Sequence, residues 1–259
     1  MRMRPRPGSL LVVSLVWLVL TVSPCHSTTI VAIRTPEVVA LAADTAATFK
    51  GGGQPDTQAT VSKIGRHGQV LYALSGFVKD PRGLFDPATT IAASFHEAQP
   101  FLSVVAQIEA QLAHALTAAL LHLRTDDPGL FRQAITAGTG GTTVLLASFE
   151  HGAPVAISLT FRGAATATGH LRIHTQRRTC PGADCPEGRY TFMLGRHKAI
   201  EQYCATHSPR LAMRPEDAVR FLVQLEIDAK TPGVGPPIEV VRLSQDGIHW
   251  LARLGTRAP

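Results

Sequence analysis

Thr28 and Thr29 stand in the stretch "SPCHSTTIVAIRT", where an apolar leader gives way to an apolar strand. A threonine hydroxyl inside a chain is a poor nucleophile and needs a neighbouring base. A threonine at a chain terminus carries one on the same residue, its own α-amine. That amine titrates at about 7.7–8.0 in small peptides, so near neutral pH a useful fraction is the free base. A carboxylate and a lysine nearby would orient the groups and favour the alkoxide. A backbone N–H aimed at the carbonyl oxygen would stabilise a tetrahedral intermediate. The chemistry is nucleophilic attack on a carbonyl, and it depends on Thr28 becoming a terminus.

Residues 1–27 read as a secretory signal. Arg2, Arg4 and Arg6 form a basic start with no acid, and Ser9 to Ser23 is an apolar run of fifteen residues. A membrane span needs about 20. Cys25 and Ser27 are small and lie two apart, as a signal cleavage site requires. Cleavage after Ser27 frees Thr28 and yields a secreted or periplasmic protein without a membrane segment. A retained N-terminal anchor and a lipid attached at Cys25 are the other readings; Pro24 fits the second poorly.

The 232 residues from Thr28 to Pro259 suffice for one domain with a buried core, and no linker, repeat or low-complexity tract divides them. The leader holds three of the 25 basic residues and no acid, so its removal lowers the net charge from +6 to +3. That balance gives no reason to expect nucleic acid as a partner. The densest basic run, "RIHTQRR" at 172–178, reads as a solvated strand edge. Cys180 and Cys185 bracket a Pro-Gly turn and are placed for a local disulfide in an oxidising compartment, which leaves Cys204 as a buried thiol. The histidines are scattered without ligand spacing, so no metal is expected. "TAGTGG" lacks the GxxxxGK of a phosphate loop and reads as a turn, so no cofactor is expected either.

The elements that must position the threonine follow from pattern. "TTIVAIRT" and "VVALAADT" form a hairpin at Pro36–Glu37, and "GGGQPD" a loop. "ATVSKIGR" and "QVLYALSGF" pair across His67–Gly68. Helices are predicted over Asp86–Ala98 and Phe101–Leu123, with a short one over 127–135. Val105, Ile108, Leu112, Ala115, Leu116 and Ala119 make one apolar stripe. "TTVLLASFE" and "PVAISLTFR" flank a His151–Gly152 turn, and "ATATGHLRIHT" pairs beside them. Helices at Lys198–Thr206 and Arg214–Lys230 precede a last hairpin at Asp246–Gly247. The expected fold is α+β: two antiparallel sheets face to face with helices outside.

These residues carry a resemblance. "TTIVAI…VVALAADTAAT…TVSKI…VLYALSGF" resembles the opening of a proteasome β-subunit and of the related bacterial two-component peptidase, both N-terminal nucleophile hydrolases. "EDAVRFLVQLEIDAKTPGVGPPIEVVRLSQDGIHWL" resembles the family's final helix and hairpin. The resemblance is strong over 28–78, fair over 214–252 and weak between. It implies a four-layer αββα sandwich and a threonine peptidase, with Thr28 the nucleophile and its amine the base. Asp44 and Lys63 are then the charged pair beside it, Gly76 supplies the oxyanion N–H, and Asp228 and Thr231 are supporting polar residues. Thr48 would bind the substrate backbone as an added strand. Ala47, Val61, Leu74 and Val78 would line an apolar pocket on the acyl side. The substrate is a peptide or a small amide, and a homo-oligomer is left open. Thr29 is expected to matter little, since its side chain points to the opposite face of the strand.

The chain departs from the family in three places. The Asp44–Lys63 interval is about three residues longer than usual, Arg196 stands where the family has a supporting serine, and Ser27 replaces the glycine before the threonine. Ser27 points to signal peptidase rather than self-cleavage as the step that exposes Thr28. Arg196 and the longer loop favour the alternative reading, a catalytically inactive binding or assembly module.

Overall fold

The computed structural model describes residues 23–25, 28–51, 54–80, 82–95, 99–136, 138, 140–166, 168, 170–183, 185, 188–207 and 213–255. Of the expected signal peptide, all but residues 23–25 lies outside the described residues. In chain order the strands are β1 (Ser23–Cys25), β2 (Thr29–Arg34), β3 (Val38–Asp44), β4 (Ala46–Gly51), β5 (Gln54–Thr60), β6 (Ile64–His67) and β7 (Val70–Gly76). Three helices follow: α1 (Pro87–Ser94), α2 (Phe101–Asp126) and α3 (Pro128–Thr136). Then come β8 (Thr142–Glu150), β9 (Ala153–Ala165), β10 (Leu171–Cys180) and β11 (Tyr190–Gly195), helices α4 (Lys198–Thr206) and α5 (Pro215–Asp228), and strands β12 (Ile238–Ser244) and β13 (Gly247–Ala252).

The strands form three antiparallel sheets, where two were expected. One five-stranded sheet has the order β11-β2-β3-β12-β13, and the other β10-β9-β8-β7-β6. The third is small, β1-β4-β5, and its strands extend into the stretch expected to be a loop. The expected strand "ATVSKIGR" breaks at residues 61–63, between β5 and β6. That break matters, because Lys63 lies in it.

Local chemistry sets the hairpins. Between β2 and β3 the Thr35 N–H donates to the Val38 carbonyl at 2.8 Å, and the Val38 N–H donates to Thr35 Oγ1 at 3.2 Å. Between β8 and β9, His151 and Gly152 have φ of 52° and 81°, the left-handed pair that closes a two-residue hairpin. The Thr89 N–H donates to the Asp86 side chain, which caps α1 just before Pro87.

Three buried clusters make the core. Ile30, Ala32, Val39 and Leu41 meet Leu71, Ala73, Leu145 and Ala147 between the two large sheets. On the far face of β6–β10, Val144, Leu146 and Ile157 pack against Val105, Ile108 and Leu112 of α2. On the far face of the other sheet, Val31, Ile33, Ala40 and Ala42 pack against Val219, Leu222 and Val223 of α5. β2 and β3 are therefore buried on both faces, which is why they read as unbroken aliphatic runs rather than alternating ones. By length and composition α2 could cross a membrane, but its apolar stripe is covered by the sheet beneath it.

Cys180 and Cys185 are joined by a disulfide whose Cα atoms lie 5.2 Å apart, and both are buried at the edge of the inter-sheet cluster. Cys204 is half-buried against the α5 layer, not fully buried as expected. Non-reducing peptide mapping should recover Cys180 and Cys185 as one linked pair and Cys204 as a thiol. A closed loop this short contributes on the order of 2 kcal/mol, so reduction should lower the urea midpoint modestly without unfolding the protein. Alkylation of all three cysteines in the unreduced, denatured protein would contradict the pairing.

Candidate active site

The β2–β3 pairing brings Thr28 to its neighbours. Ile30 lies opposite Ala43, and one step earlier the Thr29 N–H donates to Asp44 Oδ1 at 2.8 Å. Thr28, the next residue back, is 2 % exposed. Its side chain shares the parity of Ile30 and Ala32, so it faces the space between the two large sheets. Thr29 takes the other parity, with Val31 and Ile33, toward the helices.

The backbone of Arg196 grips both threonines. Its N–H donates to the Thr28 carbonyl at 2.7 Å, and its carbonyl accepts from Thr29 Oγ1 at 2.7 Å. Thr29 is thus fully buried and hydrogen-bonded. Its side chain points to the opposite face of the strand from Thr28, as expected, and its hydroxyl helps seat the segment that holds Thr28. Gly195, with φ of 76°, makes the contact possible: a Cβ there would sit 1.9 Å from the Thr28 carbonyl oxygen and 2.8 Å from Ser75 Oγ.

Asp44 and Lys63 form a buried ion pair. Lys63 Nζ donates to both carboxylate oxygens at 2.8 Å, and Asp44 also accepts from the Gly235 N–H at 3.3 Å. Asp44 is 0 % exposed and Lys63 9 %. Two backbone bonds clamp the irregular segment that carries the lysine: Val61 N–H to the Thr45 carbonyl at 2.8 Å, and Leu74 N–H to the Lys63 carbonyl at 3.3 Å. Burial pushes the Asp44 carboxyl above its ordinary value, although the Lys63 charge and the two N–H groups pull it back. Burial pushes the Lys63 ammonium down, opposed by Asp44 and by the charge of Glu239. Glu239 is itself buried and accepts from Ser62 Oγ at 2.7 Å and the Leu254 N–H at 3.0 Å.

Gly76 closes β7 with φ of 92°, and a Cβ there would lie 2.4 Å from the Gly141 carbonyl oxygen. Only glycine leaves this backbone open to a close approach. Ala47 is buried in β4, Val61 is exposed, and Leu74 and Val78 are half-buried, with Leu74 packed toward the α2 side. Thr48 pairs with Gln58 of β5 on one edge and with Cys25 of β1 on the other. The edge of β4 expected to receive a substrate strand therefore carries the leader strand.

Asp228 and Thr231 are not joined to this constellation by any hydrogen bond among the described residues. Asp228 is exposed and accepts from Gln224 Nε2 at 2.7 Å. Thr231 Oγ1 donates to Glu226. Glu226 is the buried acid here: its Oε1 accepts from the Ile200 N–H at 3.0 Å, which caps the first turn of α4 and so anchors the Gly195–Arg196 segment. The signal for it was available, since Val219, Leu222, Val223 and Glu226 lie on one stripe and an acid on an apolar stripe must have a buried partner. Among the described residues no group of three His, Cys, Asp or Glu side chains is placed to hold a metal ion.

Lys63→Met leaves the Asp44 carboxyl buried without its counter-charge, which should lower stability by about 3–5 kcal/mol at pH 7. The sign with pH is fixed by the direction of the Asp44 shift. A carboxyl whose folded value is raised favours the folded state when protonated, so its contribution is present at low pH and lost as pH rises through the folded value. The urea midpoint of Lys63→Met should therefore recover, relative to the parent, as pH is lowered from 7. Asp44→Asn combined with Lys63→Met removes both charges and should be at least as stable as the parent at pH 7. A single variant as stable as the parent at pH 7 would contradict the buried pair.

No protein-family model matches the chain, and no curated protein matches it.

Proposed function

We propose that the chain is an N-terminal nucleophile hydrolase that cleaves a peptide or small amide bond with Thr28 after removal of the leader. The observation that carries this reading is the buried Asp44–Lys63 pair held by the N–H of the residue next to Thr28. A desolvated ion pair is a poor way to stabilise a fold, and chemistry at Thr28 accounts for its presence. The order of the core clusters, helix on sheet, sheet on sheet, sheet on helix, supports a four-layer αββα sandwich as the underlying fold.

The reaction balances within these groups. Thr28 Oγ attacks the amide carbonyl carbon as its proton passes to the free α-amine. The tetrahedral oxyanion receives the N–H at Gly76. The C–N bond then breaks, the ammonium proton goes to the leaving nitrogen, and an ester to Thr28 remains. Water, deprotonated by the same amine, attacks the ester and releases the acid. Lys63 keeps a positive charge close to the nucleophile, which favours its alkoxide. Ala47, Val61 and Val78 offer no charge, so the acyl side of the cut bond takes apolar residues; Leu74, expected beside them, packs toward α2 instead.

The leader opposes this chemistry twice. It acylates the amine of Thr28, and its residues 23–25 occupy the edge of β4. The exported protein should begin at Thr28 by N-terminal sequencing and hydrolyse apolar fluorogenic peptide amides faster than arginyl or glutamyl ones. Thr28→Ala and a form with methionine retained before Thr28 should both fall by about 10²–10⁴-fold, because one lacks the oxygen and the other turns the base into an amide. Full activity in the methionine-extended form would reject Thr28 as its own base.

A second reading has its own observation. Arg196 replaces the family's supporting serine, and Asp228 faces solvent, so two of the expected supports are missing. On that reading the chain is an inactive binding module. Failure of an epoxyketone or β-lactone probe to label Thr28 in the processed protein would favour it.

A further inference from the structure

The inner face of the β6–β10 sheet changes character along its strands. Cross-strand registers place Leu71, Ala147, Ala156 and Cys180 in one apolar row. Two residues along, the row is Ala73, Leu145, Ser158 and Arg178, and two further it is Ser75, Thr143, Thr160 and Gln176. A dry core thus becomes a polar floor within one sheet face. Above this floor, between it and β11, a cleft of about 530 Å³ opens beside Ser75, Gly76 and Gly195. Its wall includes Arg162, Arg178 and His197 and, among the described residues, no acidic side chain.

The two arginines come from the basic stretch "RIHTQRR" and from β9 beside it. Strand alternation separates the run: Arg177 points to the outer face and pairs with Glu109 of α2, while Gln176 and Arg178 line the cleft. The Arg178 guanidinium donates to the Tyr190 hydroxyl at 2.7 Å and lies 5.9 Å from the centre of that ring, which holds it at the wall. No described carboxylate pairs with Arg162 or Arg178. Glu201 pairs with the cleft-lining His197 Nε2 at 3.2 Å, and its side chain is mostly exposed.

We propose that this cleft binds the leaving-group side of the substrate and selects a carboxylate there, either a free chain terminus or an acidic side chain one or two residues beyond the cut bond. The inference rests on the hydrolase reading above. The acyl-side residues and the β4 edge lie toward the Asp44–Lys63 side of Thr28. The cleft lies toward Gly195, where the Thr28 backbone is held and where its amine returns the proton to the departing nitrogen. A planar guanidinium fork suits a carboxylate in a bidentate manner. The volume suits a small leaving group rather than a long chain.

The test uses the processed protein and two substrates that differ in one group, an N-acyl-leucyl-glycine with a free carboxylate and the matching glycinamide. The expected ratio of kcat/KM, carboxylate over amide, is about tenfold at low ionic strength and shrinks as salt is added. Arg162→Gln and Arg178→Gln should each pull that ratio toward one, while Arg177→Gln, on the opposite face, leaves the ratio where it is. A ratio of one in the parent, or a ratio that the two cleft variants do not move, overturns the proposal. Equilibrium titration of the same two peptides into Thr28→Ala separates it from the hydrolase reading. Tighter binding of the carboxylate peptide, lost in Arg178→Gln, supports the cleft even if the parent cleaves neither substrate. Equal or absent binding of both overturns the cleft even if the parent is an active hydrolase.

Discussion

The buried pair of Asp44 and Lys63 constrains the rest of the molecule. Two opposite charges withdrawn from water lose several kcal/mol of hydration each, and their mutual attraction restores this only when every remaining hydrogen-bonding position is filled. Here the carboxylate accepts from Lys63 on both oxygens, from the Thr29 N–H and from the Gly235 N–H. Those partners come from three separate parts of the chain: the start of β2, the irregular segment after β5 and the loop before β12. The pair therefore works as a junction that the strands must reach in register, and through the Thr29 N–H it holds the start of β2.

A second set of bonds orients the backbone at Thr28. Glu226 caps the start of α4 through the Ile200 N–H, and α4 follows directly on the Gly195–Arg196 segment that holds Thr28 and Thr29. Gly195 permits the approach because no Cβ fits against the Thr28 carbonyl. Backbone groups and a helix cap thus hold the Thr28 segment. This also explains how Arg196 is tolerated there: its N–H and C=O do the holding, and its side chain is exposed.

The small sheet β1-β4-β5 places residues 23–25 on the edge of β4. A sheet edge presents unpaired N–H and C=O groups that accept another extended chain. While residues 23–25 lie on β4, that edge is filled. On the proposed reading, one cleavage after Ser27 would have two consequences, a free amine at Thr28 and an open edge at Thr48.

Local chemistry was legible in the sequence. The hairpins at Thr35–Val38, His151–Gly152 and Asp246–Gly247, the Asp86 cap with Pro87, and the apolar stripe of α2 all arise among residues a few positions apart, and turn chemistry and helical period specify them. The candidate centre Thr28, Asp44 and Lys63 was also legible, through resemblance in order and spacing. Tertiary structure alone decided which groups serve that centre. Arg196 meets Thr29 across 167 residues and Gly235 meets Asp44 across 191. Whether Glu226 or Asp228 is the buried acid depends on which side of α5 faces the sheet. The basic run at 172–178, read as a solvated edge, is split by strand alternation into a cleft-facing half and a helix-facing half. Such outcomes depend on how sheets pack and which strands pair, and those are properties of distant contacts that no local pattern encodes.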